Sequence, residues 1–231
     1  DVFSYNYNTD TWTEMGDSPD DLTPESPSIV YDSESDRVLV IEGGNSGHDV
    51  YAYKEKFPEW SYDTDYDLTE VEISADGEYI AAIAEYSDKL FLFKKDNSTP
   101  LWSYDVGTSI YTVSISGNGE YIVVGNHLDE FFLFDKDSST PLWKYEGTQL
   151  FDQSAISTDG EYIIAGSHDR KVYLFNKDSS TPLWTYTGDD DIESVSISAD
   201  GEYIVVGTKD DKVYLFDKDS STPLWSYTAG D

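Results

Sequence analysis

Two histidines stand at matching places in this sequence, each close to an aspartate, and could bind a metal ion. His127 is followed by Asp129, His168 is followed by Asp169, and the histidines are 41 residues apart. Imidazole nitrogens and carboxylate oxygens are common ligands of transition metals. The same spacing recurs through the chain, and structural repeats related by rotation hold equivalent loops apart, which disfavours a shared metal. The sequence has no cysteine, which excludes a thiolate nucleophile and a cysteine-ligated zinc site.

Acidic runs raise the separate question of calcium. Asp189, Asp190 and Asp191 are consecutive, and they predict weak calcium binding because Ca²⁺ prefers carboxylate oxygens. The "DKDSS" segments resemble the start of a calcium loop, but they lack the glycine and distal glutamate of an EF-hand, which favours a turn. There is no G-x-S-x-G motif, and carboxylates are too abundant to identify a glycosidase pair. We therefore expect no enzyme activity and no cofactor except calcium.

A tandem repeat organises these residues. "TPLW" ends at Trp102, Trp143, Trp184 and Trp225, and "GEYI" begins at Gly77, Gly119, Gly160 and Gly201. Each unit shows four short apolar runs, and the Asp-Gly or Asn-Gly pair between the first two is a strong hairpin signal. Four strands at this period predict a blade of an all-β propeller. With Trp12 and Trp60, all six tryptophans fall on the predicted outermost strand, which indicates a structural role.

Two families share these motifs. The segment "SVSISADGEYIVVGTKDDKVYLFDKDSSTPLW" resembles WD-repeat propellers, although the histidine and Trp-Asp pair of that family are missing, and "LWSYTAGD" resembles pyrroloquinoline-quinone-type propellers. This resemblance covers residues 67–231. Residues 1–66 resemble kelch repeats through "PSIVYDSESDRVLVIEGG" and through the shared spacing of Tyr5 to Trp12 and Tyr53 to Trp60. Both resemblances imply a propeller of four-stranded antiparallel blades.

The repeat boundaries predict one propeller domain over residues 1–231, with five full blades and an N-terminal half blade, which gives six or seven blades when completed. The predicted units are a kelch-like half blade at 1–15, a kelch-like blade at 25–63, and WD-like blades at 67–105, 109–146, 150–187 and 191–228. An open half blade exposes a sheet edge that invites pairing with another chain. A longer polypeptide, a second chain or closure with five blades would each resolve this edge.

The charge limits the partners. Forty-seven acidic against 14 basic residues give a net charge of −33, which repels nucleic acids and anionic membrane surfaces. No apolar run reaches the roughly 18 residues of a membrane span. The acid excess resembles that of salt-adapted, archaeal-style proteins or of proteins in cation-rich surroundings. We expect an extracellular or cell-surface location, with the cytoplasm as the alternative.

The loops that differ among the repeats predict the binding site. The loops after strands two and four vary and share one face of a propeller, whereas the turns after strands one and three are nearly invariant. The predicted function is a non-catalytic scaffold that recognises a protein, or assembles with itself, through the variable loops. A calcium- or carbohydrate-binding surface module is the alternative, and a quinoprotein- or lyase-type enzyme ranks last. The residues predicted to line the site are Tyr86, Tyr111, His127, Asp129, Phe151, His168, Asp169 and Asp191.

Overall fold

The computed structural model describes residues 3–6, 11–14, 29–32, 37–41, 49–54, 57–64, 66–84 and 88–229, with side-chain surroundings from residue 60 onward. Twenty-two strands occur in these ranges and no helix does. A hairpin of β1 (Phe3–Asn6) and β2 (Thr11–Glu14) comes first. Sheet I contains β3 (Ile29–Asp32), β4 (Arg37–Ile41), β5 (Asp49–Lys54) and β6 (Phe57–Asp63). Sheet II contains β7 (Leu68–Ile73), β8 (Tyr79–Ala84), β9 (Lys89–Lys94) and β10 (Asn97–Asp105).

Three further sheets repeat this plan. Sheet III contains β11 (Ile110–Ile115), β12 (Tyr121–Asn126), β13 (Glu130–Asp135) and β14 (Trp143–Glu146). Sheet IV contains β15 (Phe151–Ile156), β16 (Tyr162–Ser167), β17 (Lys171–Asn176) and β18 (Trp184–Thr187). Sheet V contains β19 (Ile192–Ile197), β20 (Tyr203–Thr208), β21 (Lys212–Asp217) and β22 (Trp225–Thr228). In each sheet the spatial order follows the chain order, and every pairing is antiparallel. The predicted all-β propeller fold is confirmed.

The turn after the first strand is built from side-chain hydrogen bonds that recur in each of sheets II to V. In sheet II the Ser74 hydroxyl donates to Asp76 Oδ1 at 2.6 Å, and the backbone N–H of Glu78 donates to the same oxygen at 3.0 Å. Gly77, which lies between Asp76 and Glu78, has a φ of 68°. A positive φ is accessible to glycine because it has no Cβ. The Asp-Gly or Asn-Gly pair therefore sets this hairpin.

A second left-handed position, in the loop after strand two, was not expected from the sequence. Non-glycine residues with a φ between 54° and 64° stand there in sheets II to V, at Asp88, Asp129, Arg170 and Asp211. Asp tolerates this conformation better than most residues do, and Arg does not share that tolerance. The repeat therefore holds this backbone shape even where the residue type does not favour it.

Each sheet packs on the next through apolar side chains and one indole hydrogen bond. The core between sheets IV and V includes the fully buried residues Ile164, Leu174, Ile204 and Phe216. Beside it, Trp184 Nε1 donates to the carbonyl oxygen of Lys218 at 2.7 Å. The same bond joins the earlier sheets, from Trp60 to Lys95 at 2.6 Å, Trp102 to Lys136 at 2.7 Å and Trp143 to Lys177 at 2.8 Å. These tryptophans therefore bind neighbouring sheets together, in addition to adding apolar area. For Trp12 the structure describes the strand but not the side chain.

Candidate binding face

Backbone hydrogen bonds define two faces of the molecule. The turns after strands one and three are joined in every sheet from II to V, as in the 3.0 Å bond from the Lys136 N–H to the Glu120 carbonyl oxygen. The loops after strands two and four are joined on the other side, as in the 2.6 Å bond from the Gly147 N–H to the Asp129 carbonyl oxygen. We call the first the turn face and the second the variable face. The predicted grouping of the variable loops corresponds to this second face.

The loop after strand two is also hydrogen-bonded to the residue that precedes the first strand of the same sheet. The backbone N–H of His127 donates to Ser109 at 3.0 Å, and that of His168 donates to Leu150 at 3.1 Å. Lys209 makes the equivalent bond to Asp191 at 3.0 Å. The loops therefore present their side chains from a fixed backbone, as a recognition surface on a rigid scaffold requires.

Two repeat positions come together on this face in sheets III and IV. One is the second residue of the first strand, occupied by Tyr111 in sheet III and Asp152 in sheet IV. The other begins the loop after strand two, occupied by His127 and His168. The Tyr111 hydroxyl lies 3.4 Å from His127 Nδ1, with ring centroids 5.9 Å apart. His168 Nε2 lies 2.7 Å from Asp152 Oδ2. Each histidine therefore contacts a partner in its own sheet.

In sheet V the same two positions carry Glu193 and Lys209. Lys209 Nζ lies 3.7 Å from an oxygen of the nearby Asp191. From one sheet to the next, the face thus changes from a tyrosine–histidine pair to an aspartate–histidine pair and then to charged residues. It offers a different chemistry on each sheet while the backbone stays the same.

Asp152 is a partly buried carboxylate of this face. Its Oδ1 atom is buried and has no hydrogen-bond partner among the described residues. Burial raises the pKa of Asp152 above its ordinary value, and the contact with His168 opposes that rise without cancelling it. The negative charge of Glu193 on the neighbouring first strand adds to the rise. The contact with His168 therefore offsets only part of the electrostatic cost of burying the Asp152 carboxylate.

Asp169 is committed to internal contacts. Its Oδ2 accepts hydrogen bonds from Thr148 at 2.7 Å, Lys171 at 2.9 Å and Tyr173 at 2.6 Å. Burial by itself would raise the pKa of Asp169, but these donors together outweigh burial and leave it lowered. Burial and the Asp169 carboxylate raise the pKa of Tyr173. Asp169 therefore organises the loop, and its carboxylate has little capacity left for a ligand.

The acidic run at Asp189 to Asp191 is already paired with cations of the chain. Lys212 Nζ contacts Asp189 Oδ2 at 2.7 Å and Asp210 Oδ2 at 2.6 Å. Asp190 Oδ1 accepts the backbone N–H of Asp191 at 2.9 Å. Over the described ranges, no group of three His, Asp or Glu side chains is arranged to hold a metal ion. Calcium at this run remains a prediction.

Phe151 was predicted to line the binding site. Phe151 has no exposed surface and lies in the core between sheets III and IV, where it contacts Phe131 at a centroid distance of 5.3 Å. It begins strand β15 and points into the core, so its assignment to the binding site is corrected. Tyr86 lies outside the described residues.

Sequence reasoning missed three residues of this region, namely Asp152, Glu193 and Glu70. Asp152 and Glu193 follow Tyr111 at intervals of 41 residues, which is the signal that would have found them. Glu70 stands on β7, and its Oε2 accepts the backbone N–H of Val113 on the neighbouring first strand at 2.7 Å. Burial, with Glu72 adding to it, raises the pKa of Glu70 to about 7, and the Val113 N–H opposes that rise.

Comparison with known proteins supports the WD-type repeat in the C-terminal part of the chain. A family model described as WD domain, G-beta repeat matches residues 139–176 and 180–217. Each match begins ahead of the outer strand of one sheet and ends with the third strand of the next, so one sequence repeat spans two sheets. No curated protein matches the chain. Over the described residues there is no helix with the length and apolarity to cross a bilayer.

Proposed function

We propose that this chain is a non-catalytic protein-binding scaffold that recognises its partner with the variable face. The WD-repeat matches support this class, because such propellers usually serve as protein-interaction scaffolds. The observation that carries the proposal is the contrast between faces. The turn face repeats the same turns from sheet to sheet, whereas the variable face presents Tyr111–His127, Asp152–His168 and Glu193 with Lys209 on successive sheets.

The chemistry of the face favours a protein partner with basic side chains. The whole chain carries a net charge of −33, and a field of this sign speeds the association of positively charged surfaces. Exposed aromatic and imidazole groups, such as the 46% exposed Tyr111, add contact area at a low entropic cost. We place this binding outside the cell or at its surface, where salt screens the self-repulsion of an acidic protein.

A comparison of two surface variants tests the proposal. One variant combines Tyr111→Ala, His127→Ala and Glu193→Ala on the variable face. The matched control combines Asp137→Ala, Asp178→Ala and Asp219→Ala, three turn-face aspartates with side chains 77%, 76% and 80% exposed. Proteins from the native host are captured on each immobilised chain after circular dichroism has established that both variants fold. We expect the control to retain the captured proteins and the variable-face variant to lose them. Equal retention by both would overturn the proposal.

Self-assembly through the N-terminal hairpin is a second candidate. β1 and β2 pair with each other as a two-stranded sheet, and an open strand edge is a template for another chain. Truncation of residues 1–15, followed by sedimentation velocity, tests this idea. Loss of association in the truncated chain is expected, and unchanged association argues against a role for the hairpin.

A further inference from the structure

The loop after the second strand of sheet III presents an apolar residue where the next two sheets have an ion pair. In sheets IV and V this pair joins an aspartate to the lysine two residues later, Asp169–Lys171 at 2.9 Å and Asp210–Lys212 at 2.6 Å. The residues of sheet III at these repeat positions are Leu128 and Glu130. Leu128 is 60% exposed, so a leucine side chain takes the place of a charge on the variable face.

A buried asparagine holds this loop of sheet III in place. Asn126 has no exposed surface, and its Oδ1 accepts the backbone N–H groups of Leu128 and Glu130, each at 3.0 Å. Asn126 Nδ2 donates to Glu130 Oε2 at 2.8 Å. Position 128 is therefore relieved of the loop-closing role that Asp169 has in sheet IV, and its apolar side chain is available for contact.

A tyrosine and a histidine belong to the same end of sheet III. His127 precedes Leu128, and its Nδ1 lies 3.4 Å from the Tyr111 hydroxyl. Both rings belong to exposed residues. We call Tyr111, His127 and Leu128 the sheet III anchor. At the same positions sheet IV has Asp152, His168 and Asp169. The anchor is therefore less polar than its counterpart on the neighbouring sheet.

Two glutamates stand opposite each other beside the anchor. Glu130 of β13 pairs with Glu146 of β14, and like charges in such a pair destabilise a sheet. Lys144 Nζ divides its single positive charge between them, at 2.8 Å and 2.9 Å. With Asp129 next to Glu130, three carboxylates exceed the charge that Lys144 supplies. The counterparts of the three acids in sheet IV are Arg170, Lys171 and Thr187.

We propose that the sheet III anchor binds a linear segment of a partner protein in which an apolar side chain adjoins a lysine or an arginine. The apolar side chain packs against Leu128 and Tyr111, which removes apolar surface from water. The cationic group lies beside Glu146, whose side chain is 74% exposed, and relieves the repulsion between the two glutamates. This inference rests on the proposed function, because it names the chemistry of the partner.

Charge favours this occupant over a second copy of the chain. Each copy carries a net charge of −33, so an acidic surface approaching the three carboxylates is repelled. A basic segment is attracted by the same field. Binding should therefore weaken as sodium chloride is added, because salt screens exposed charges.

Selection from a phage-displayed library of random peptides tests the proposal. The wild-type chain is the bait, and the double variant Leu128→Asp with Glu130→Lys is used to remove peptides that bind elsewhere. This variant installs the residue pair of sheets IV and V, so its fold has a precedent within the chain, and circular dichroism checks it. We expect the selected peptides to combine an aliphatic or aromatic residue with an adjacent lysine or arginine. A failure to select any peptide, or selection of peptides without this combination, would overturn the proposal.

Fluorescence polarisation of one selected peptide then separates the two parts of the site. Leu128→Ala should weaken binding about tenfold at low and at high salt, because a central apolar contact is lost. Glu146→Gln should weaken binding about threefold at low salt and much less at high salt, because its effect is electrostatic. A salt-independent effect of Glu146→Gln would contradict the assignment of the cation.

Leu142→Ala is the matched control. Leu142 is a 52% exposed leucine of the same sheet, and it directly precedes β14, at the opposite end of that strand from Glu146. The variant should bind the peptide like the wild type. Equal weakening by Leu128→Ala and Leu142→Ala would overturn the proposal.

Capture of native-host proteins distinguishes this inference from the proposed function. We expect the double variant Leu128→Asp with Glu130→Lys to lose the proteins that the wild type captures. If it retains them while the variant at Tyr111, His127 and Glu193 loses them, the anchor is wrong and the variable face stands. Retention by both variants would overturn the proposed function as well.

Discussion

Nε2 of His168 lies 2.7 Å from Oδ2 of Asp152, although the two residues are 16 positions apart and belong to different segments of sheet IV. The carboxylate is partly buried, and its other oxygen has no partner among the described residues. The imidazole is therefore the side chain that compensates Asp152. The pair shows that the variable face has internal structure and is not merely a set of solvated loops.

The first prediction concerns this pair. His168→Ala removes the partner of a half-buried carboxylate, which should lower the free energy of unfolding by about 1 kcal/mol at pH 7. His127→Ala is the control, because the 3.4 Å contact of His127 with Tyr111 is exposed and its loss should cost no more than about 0.5 kcal/mol. Urea denaturation measures both. Equal losses in the two variants would mean that Asp152 does not depend on His168.

The second prediction concerns Asp169, which accepts hydrogen bonds from three side chains. Asp169→Asn should destabilise the protein by about 1–3 kcal/mol at pH 7, because charge-assisted bonds to Lys171 and Tyr173 are lost. The pKa of Asp169 is lowered in the folded state. Its contribution is therefore present above the ordinary pKa of 3.8 and is lost as the pH falls through the folded value. The difference between variant and wild type should shrink in acid.

A matched substitution checks the Asp169 result. Asp129→Asn changes the same residue type on the same face in sheet III. Asp129 has a φ of 63°, and asparagine tolerates that conformation well. Urea midpoints for both variants at pH 7 and below about pH 4 are the measurement. A large effect of Asp129→Asn would contradict the assignment of Asp169 as the organising carboxylate.

The third prediction is a pH dependence at Glu70. Its pKa is raised from 4.5 to about 7 by burial and Glu72. Between these values the folded state binds more protons than the unfolded state, so stability should fall as the pH rises from 4.5 to 7. Glu70→Gln removes this loss and should stabilise the protein by about 1–2 kcal/mol at pH 8, allowing for partial exposure.

Sheet IV shows that the Glu70 substitution is compatible with the fold, because Gln153 stands at the equivalent position. The amide oxygen of glutamine can still accept the Val113 N–H. Thermal unfolding of wild type and variant at several pH values gives the comparison. Parallel pH profiles for the two proteins would show that Glu70 does not titrate in this interval.

The fourth prediction separates backbone strain from crowding at two glycines. Gly160 has a φ of 77°, and a Cβ there would lie 2.3 Å from Tyr121 Cδ2. Gly160→Ala should therefore cost about 2–4 kcal/mol, from the left-handed backbone and the displaced ring together. Gly107 has a φ of 78° with no atom within 4 Å of an added Cβ, so Gly107→Ala should cost about 1 kcal/mol. The free energy of unfolding of both variants is measured by chemical denaturation. Equal losses in the two variants would argue against crowding by Tyr121.

The sequence predicted the repeating parts of this molecule well, and the reasons are local. The pair Asp200–Gly201 predicted a hairpin because glycine allows the positive φ, and Gly201 has a φ of 73°. The strand that carries Trp184 was predicted from its repeat position, and it is the outer strand of its sheet. Neither inference needed knowledge of a distant residue.

The binding face was harder to predict because its contacts join residues that are distant in sequence. Phe151 was assigned to a loop, although the repeat equates it with Ile110 and Ile192, which are both buried. A register shift between Phe151 and Gln153 turns Phe151 into the core, and such a bulge does not appear in an alternating pattern. The partnership of Asp152 with His168 likewise depends on the register of two antiparallel strands.

The offset between the sequence repeat and the sheets has a consequence for how such a chain can evolve. A segment of 41 residues that begins with the outer strand of one sheet, such as residues 184–224, runs through the third strand of the next sheet and the turn that follows it. It therefore carries both partners of one tryptophan–lysine contact within itself. Insertion or deletion of a whole segment leaves every remaining contact matched, so the array can change its number of units without new compensating mutations. The near-identity of sheets IV and V is what recent growth by this route would produce.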